Sequence, residues 1–120
     1  MKTILIVDDQ PGIRLLLDEV FSQEGFRTVT AGNGREALQK AEEVRPDMVL
    51  LDMKMPGMDG IEILKKLKIE QNKLQVMMMT AYGELDLIEE SISYGAVRYF
   101  TKPFDVFEVR DAVKSLLEGR

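Results

Sequence analysis

The chain of 120 residues has no histidine and no cysteine. Without histidine there is no Ser-His-Asp triad and no imidazole-ligated zinc site. Without cysteine there is no disulfide and no thiol nucleophile, which fits a cytoplasmic protein. No apolar run approaches the roughly 20 residues of a membrane span, so no membrane association is expected. A single Lys followed at once by a strand-like run is not a secretory signal. Positive charge is also scarce. Lys and Arg number 16 against 21 Asp and Glu, and the net charge of −5 argues against nucleic-acid partners, which want a basic face.

The remaining composition is ordinarily globular, 45% hydrophobic against 31% charged with no low-complexity tract, so residues 1–120 read as one domain with room for a core. Short apolar runs alternate with amphipathic stretches. Strands are expected at Thr3–Val7, Phe26–Thr30, Asp47–Leu51, Gln75–Thr80 and Val97–Thr101. Helices are expected at about Pro11–Gln23, Gly34–Val44, Asp59–Lys68, Glu84–Ser93 and Asp105–Leu117. The first, third and fourth strands are almost continuously apolar, as in strands covered on both faces. Five strand-then-helix repeats imply an α/β three-layer sandwich with a parallel five-stranded sheet and right-handed crossovers. A flavodoxin-like order 2-1-3-4-5 places the switch point between the first and third strands. Pro56-Gly57 suits the centre of a type II turn, and Asp105, with Glu108 three residues on, suits a helix cap.

Parallel strands deliver their carboxyl ends to one edge. Asp8 and Asp9 follow Ile4-Leu5-Ile6-Val7, Asp52 follows Met48-Val49-Leu50-Leu51, and Lys102 follows the fifth run. Clustered carboxylates repel, and a cation between them relieves the repulsion. Mg²⁺ suits such a set, because it takes one or two carboxylates plus phosphate oxygens and keeps several waters. Asp9 and Asp52 can ligate directly, with Asp8 acting through water or orienting the shell, and the Lys54 carbonyl can add a ligand. Mn²⁺ is the expected substitute. One carboxylate can instead act as nucleophile and form an acyl phosphate. Asp52, single and at the tip of the central strand, is the better candidate. Lys102 would neutralise charge on a transferring phosphoryl group, Thr80 offers it a hydroxyl, and Ala81 leaves an in-line path open. Taken singly, each feature reads equally as a helix cap, a surface hydroxyl or a loop stop. Their convergence on one edge is what favours chemistry. Met77, Met78 and Met79 read as core filling on a buried strand.

Four motifs carry a family resemblance: Val7-Asp8-Asp9, Leu51-Asp52-Met53-Lys54-Met55-Pro56-Gly57-Met58-Asp59-Gly60, Met79-Thr80-Ala81-Tyr82 and Thr101-Lys102-Pro103-Phe104. On these the chain resembles a response-regulator receiver domain over its whole length. The resemblance implies Asp52 as phosphoacceptor, Asp8 and Asp9 as the acidic pair, and Lys54 giving its carbonyl to Mg²⁺. It implies Thr80 as switch hydroxyl, Tyr99 at the aromatic switch position, Lys102 as phosphoryl contact and a cis peptide before Pro103. The implied activity is transfer from a partner's phosphohistidine to the aspartate, followed by slow self-catalysed hydrolysis. Since this chain has no histidine, every histidine must come from a partner. The stretches Asp9-Gln10-Pro11-Gly12-Ile13-Arg14, Asp59 to Lys65 and Thr80 to Asp86 are similar to the stand-alone receivers of bacterial sporulation phosphorelays. Pro11 and Tyr99 depart from them, standing where those have an aromatic residue and a histidine.

At 100° per residue, Ile13, Leu17, Val20 and Phe21 form one stripe facing the sheet. Leu16 lies on its flank and Leu15 points away, so the first helix is more apolar than the core requires. Pro11, Gly12, Ile13 and Leu16, with Tyr82, Pro103 and Phe104, are therefore the expected docking residues for a helical-bundle partner. A second surface, from Tyr82 to Glu90 with the fifth strand and helix, carries Glu84, Asp86, Glu89 and Glu90 and would favour a basic partner.

The favoured reading is a monomeric single-domain receiver relaying phosphate between a sensor histidine kinase and a His-containing phosphotransferase, with an aspartyl-phosphate phosphatase as a further partner. It would catalyse its own phosphorylation and would not be an enzyme on small substrates. The chain ends soon after Leu116-Leu117, which leaves no output domain in this reading. The alternative is a stand-alone receiver that binds a target protein when phosphorylated. A metal phosphatase is disfavoured, because such enzymes need a cap over the site and no insertion is long enough to form one.

Overall fold

The structure is a computed structural model that describes residues 1–53, 55, 57, 59–81 and 85–118. Strands and helices alternate as β1 (Thr3–Val7), α1 (Pro11–Gln23), β2 (Arg27–Ala31), α2 (Gly34–Val44), β3 (Met48–Asp52), α3 (Gly60–Glu70), β4 (Gln75–Ala81), α4 (Leu85–Ser93), β5 (Arg98–Lys102) and α5 (Val106–Glu118). All pairings are parallel and the order is β2-β1-β3-β4-β5. This is the flavodoxin-like topology expected from the alternating pattern.

Side-chain alternation along each strand divides the core in two. Ile4, Ile6, Met48, Leu50, Met77, Met79 and Phe100 face one way and pack on Leu17 and Phe21 of α1 and on Val109, Ala112 and Val113 of α5. Leu5, Val7, Val49, Leu51, Val76 and Met78 face the other way, onto Ala37 and Ala41 of α2 and onto Ile61, Ile63, Leu64 and Leu67 of α3. The three consecutive methionines of β4 are thus core residues on both faces, all fully buried. Phe21 is fully buried and meets Phe26 edge-on, with ring centroids 5.9 Å apart at 70°, a favoured aromatic geometry.

Several elements begin or end one residue away from their expected bounds, and the local bonding explains why. Phe26 is spent on the turn after α1, where its N–H donates to the Phe21 carbonyl at 3.1 Å, so β2 starts at Arg27. Asp47 closes the start of β3 instead of joining it. Its N–H donates to the Thr3 carbonyl at 2.8 Å and its carboxylate accepts from the Thr3 N–H at 2.8 Å. Asp59 and Asp105 lie just outside α3 and α5 as caps. Their carboxylates accept from the Glu62 N–H at 2.9 Å and the Phe107 N–H at 2.8 Å, which satisfies first-turn donors. At the other strand ends the shift runs forward, so Asp52, Ala81 and Lys102 become the last residues of β3, β4 and β5. Gly57 has φ +92, the left-handed value a type II turn requires, while its expected partner Pro56 lies outside the described residues, as does Glu84.

Candidate functional site

Strand register brings the acidic residues together. Val7 of β1 pairs with Leu51 of β3, so the residues that follow, Asp8 and Asp52, reach the same level of the sheet edge. Both share the alternation of Ile6 and Leu50, on the α1/α5 side. One carboxylate oxygen from each of Asp8, Asp9 and Asp52 lies within 4.8 Å of the others. Asp8 is fully buried, Asp52 is 5% exposed, and Asp9 opens to solvent. Two carboxylates are therefore held almost out of water beside a third.

Lys102 partly offsets that charge. It ends β5, opposite Ala81 of β4, and its four-carbon stem crosses the tip of β4 toward β3 and β1. Its Nζ lies 2.8 Å from Asp8 Oδ2 and 3.5 Å from Asp52 Oδ2, with Gln10 Oε1 also at 3.5 Å. The Gln10 N–H donates to Asp8 Oδ1 at 2.9 Å. Both oxygens of Asp8 thus already accept bonds from the protein. Among the described residues, one ammonium against three carboxylates leaves a negative surplus in a largely desolvated place, and a divalent cation would balance it. The donors are hard oxygens, and Asp9 lies at the solvent side, where retained waters have room. The residues present fit Mg²⁺. The expected carbonyl ligand, Lys54, lies outside the described residues.

Thr80 is fully buried at the end of β4, opposite Thr101 of β5. It shares the alternation of Val76 and Met78, which face α2 and α3, so it lies on the other side of the sheet from Asp52. Tyr99 pairs with Met78 and lies on that same side, 39% exposed. The two expected switch residues therefore share one face across adjacent strands.

The described docking residues lie on two segments next to the acidic cluster, the start of α1 and the turn after β5. Pro11 and Gly12 are exposed at the start of α1, immediately after Asp9 and Gln10. Pro103 is exposed and joined to Lys102 by the expected cis peptide. Leu16 is 43% exposed and Leu15 62%. Ile13 and Phe104 are half-buried and pack against the α1/α5 core, so only part of each side chain can meet a partner. Tyr82 lies outside the described residues.

Three further residues shape the site without having been singled out in the sequence. Gln10 bonds Asp8 and approaches Lys102. Arg14 donates to the Asp8 carbonyl at 2.6 Å. Gly60 opens α3 against the end of β3, its N–H donating to the Met53 carbonyl at 2.7 Å. A Cβ there would stand 2.7 Å from Met53 Cα and 2.9 Å from the Asp52 carbonyl oxygen, so only glycine fits. The available signal was glycine directly after a capping aspartate, which reads as ordinary turn punctuation until the close approach is seen.

Known proteins are similar to this chain in sequence and fold. A solved receiver domain protein from Methanospirillum hungatei superposes with a TM-score of 0.94 at 30% identity, covering 99% of this chain and 95% of that one. The chain is 36% identical to the chemotaxis protein CheY of Bacillus subtilis, over 95% of this chain and 96% of that protein. It is 60% identical to sporulation initiation phosphotransferase F of Bacillus subtilis, over 97% of this chain and 94% of that protein. Residues 4–114 match the response regulator receiver domain, and the chain belongs to that family.

Proposed function

We propose that the chain is a phosphorelay intermediate that accepts a phosphoryl group on Asp52 from a phosphohistidine of a sensor histidine kinase and passes it to a His-containing phosphotransferase. The observation that carries this reading is the meeting of three carboxylates within 4.8 Å with the Lys102 ammonium 3.5 Å from Asp52. The 60% identity to a protein named as a sporulation phosphotransferase supports a relay, and sporulation as its setting.

In the proposed reaction an Asp52 carboxylate oxygen attacks phosphorus in line. The P–N bond to the donor imidazole breaks, its electron pair returns to the ring, and an acyl phosphate forms on Asp52. Return transfer to a second imidazole reverses these steps, and attack by water ends them. Asp9 and Asp52 would hold Mg²⁺, with Asp8 orienting the shell and Lys54 offering its carbonyl. The bound ion supplies charge neutralisation to the phosphoryl oxygens. Lys102, engaged with both Asp8 and Asp52 at rest, can stay beside Asp52 and turn toward a phosphoryl oxygen. Thr80 offers its hydroxyl to another oxygen, and Tyr99, on the Thr80 side of the sheet, reports the change. Pro11, Gly12, Leu16, Pro103 and the exposed parts of Ile13 and Phe104 receive the partner helices, and Tyr82 is assigned to the same docking set. Mn²⁺ substitutes for Mg²⁺ as a small oxygen-seeking dication. An aspartyl-phosphate phosphatase is a further partner on this surface, and the chain acts as a cytoplasmic monomer.

A stand-alone receiver that binds a target when phosphorylated, without passing phosphate on, is the alternative, and the similarity to a chemotaxis protein of matching length is compatible with it. Incubation with labelled phosphohistidine kinase, then with a His-containing phosphotransferase from the same cell, separates the two. Label that reaches this chain and moves on supports the relay, and label retained on Asp52 supports the target-binding reading. Label that persists on Asp52→Asn protein refutes Asp52 as the acceptor.

A further inference from the structure

The main chain of Asp8 is held from two sides. Its N–H donates to the Ala31 carbonyl at the end of β2 at 3.1 Å. Its carbonyl accepts from Arg14 Nη1 at 2.6 Å, a short charge-assisted bond. Arg14 is itself anchored in the first turn of α1, where its N–H donates to the Gln10 carbonyl at 3.1 Å, and the Gln10 N–H returns to Asp8 Oδ1 at 2.9 Å. This closed ring sets the path of the chain through the Asp8–Asp9 peptide. Asp9 follows directly, and its exposed carboxylate hangs from that peptide.

Gly32 stands behind the guanidinium. A Cβ added at Gly32 would meet Arg14 first, at 3.0 Å from Nη1, 3.5 Å from Cζ and 3.9 Å from Nη2. Gly32 does not adopt the left-handed φ that favours glycine, so its lack of a side chain serves space rather than backbone freedom. Arg14 meets Asp8 at the main-chain carbonyl, while the Asp8 carboxylate oxygens accept from Gln10 and Lys102.

We propose that Arg14 is a positioning residue for the metal site, fixing the Asp8–Asp9 turn so that the Asp9 carboxylate meets that of Asp52, and that Gly32 is the space reserved for its guanidinium. This rests on the reading that Asp9 and Asp52 hold Mg²⁺. Groups that orient metal ligands from behind act on affinity, with losses of about 10- to 100-fold when removed. Lys at position 14 would keep a donor for the carbonyl but lose the rigid fork.

The test is calorimetric titration of the whole chain with Mg²⁺ alone, with thermal melting in chelator run in parallel. Arg14→Ala is expected to weaken Mg²⁺ binding by about 10-fold or more, with Arg14→Lys intermediate. Gly32→Ala is expected to weaken binding when Arg14 is present and to add nothing in the Arg14→Ala background. If Arg14→Ala lowers the melting temperature yet binds Mg²⁺ like the wild type, Arg14 is only a structural tie and the proposal is overturned. Fully additive losses from Arg14→Ala and Gly32→Ala would overturn the role given to Gly32. Should Arg14→Ala not fold, Gly32→Ala and Arg14→Lys decide the matter, since each leaves a cation at the carbonyl. A folded wild type that binds no Mg²⁺ refutes the underlying metal reading instead, and the positioning role with it.

Discussion

Replacing Asp52 by Asn should stabilise the metal-free domain. Asp52 is 5% exposed and has two carboxylates within 4.8 Å. At an effective dielectric of about 20, each pair at that separation repels by about 3.5 kcal/mol. The attraction to Lys102 at 3.5 Å returns about 5 kcal/mol on the same scale. Asp9 is open to solvent, so its share is screened and the Coulomb terms come close to cancelling. Desolvation then decides the sign. A buried carboxylate is costlier to hold charged than an amide of the same shape. Lys102 keeps its 2.8 Å partner Asp8 in the variant and is not stranded. The net gain is about 1 to 3 kcal/mol, which for a domain of this size raises the melting temperature by about 4 to 12 °C.

Mg²⁺ should reverse the comparison. At a hundredfold excess over its dissociation constant, a ligand that binds only the folded state adds about 2.7 kcal/mol. Wild type would take up that gain, and Asp52→Asn, with one direct ligand lost, would take up much less. Melting followed by far-UV circular dichroism, first in chelator and then in saturating Mg²⁺, reads both halves. The expected result is a variant that melts above wild type in chelator and loses its lead when the ion is added. An Asp52→Asn protein that melts below wild type in chelator would refute the argument that the folded state crowds its carboxylates. Equal Mg²⁺-induced shifts in both proteins would show that Asp52 is not a ligand.

Gly60→Ala should destabilise the domain by about 1 to 3 kcal/mol, as overpacking does, because the new Cβ meets backbone atoms of Asp52 and Met53 at 2.7 to 2.9 Å. Urea unfolding measures the loss, and a neutral result would mean that α3 slides freely against the tip of β3. Glu24 and Lys114 tie the end of α1 to α5 through a 2.6 Å ion pair. The hydrogen bond from Lys114 holds the Glu24 carboxyl below its usual range, and the same bond raises the Lys114 ammonium above its own. The carboxylate's contribution is present above the ordinary Glu range and fades as pH falls through the lowered value, while the ammonium's is present below the ordinary Lys range and fades as pH rises through the raised one. Glu24→Gln should therefore flatten both the acid and the alkaline limbs of a urea-midpoint profile, and a profile parallel to wild type would remove the pair from the account. Leu16→Ala, at a 43% exposed position, should leave stability within about 0.5 kcal/mol and slow phosphoryl transfer from a cognate phosphohistidine protein. Unchanged transfer from every such protein would remove Leu16 from the docking surface.

Much of this molecule could be read from local pattern. The apolar runs of β1, β3 and β4 fix buried strands because each is almost continuously apolar, and parallel strands must then end on a common edge. That inference placed Asp8, Asp9, Asp52 and Lys102 together before any distance was known. Strand bounds were less legible, because Asp47 borders the apolar run from Met48 and Phe26 is itself an apolar, strand-favouring residue next to Arg27. Their actual partners, Thr3 and Phe21, come from other elements. The supporting residues were the least legible. Arg14 looks like any charged residue on an amphipathic helix, and Gly32 like any loop glycine. Their relation is a 3.0 Å clearance across two elements, which no period or propensity encodes.

The placement of the site on the sheet bears on how a phosphoryl group could be felt elsewhere. Asp8, Asp52 and Lys102 share the alternation that faces α1 and α5, whereas Thr80 and Tyr99 share the one that faces away from them. In the proposed reaction a group arriving on Asp52 would be met from its own side by Lys102, and across the end of β4 by Thr80. Drawing the Thr80 hydroxyl toward that tip would take it away from the side it shares with Tyr99. β4 is filled by methionines on both faces, and unbranched thioethers adapt to small shifts more readily than branched side chains do. The strand between donor-side and target-side surfaces is therefore the one best able to absorb such a displacement. In the proposed cycle, then, one partner reads the α1 side, where phosphate is exchanged, and another reads the Tyr99 side, where its presence is displayed. A partner that contacts only Tyr99 and its neighbours should distinguish the phosphorylated chain while leaving the rate of transfer from the kinase unchanged.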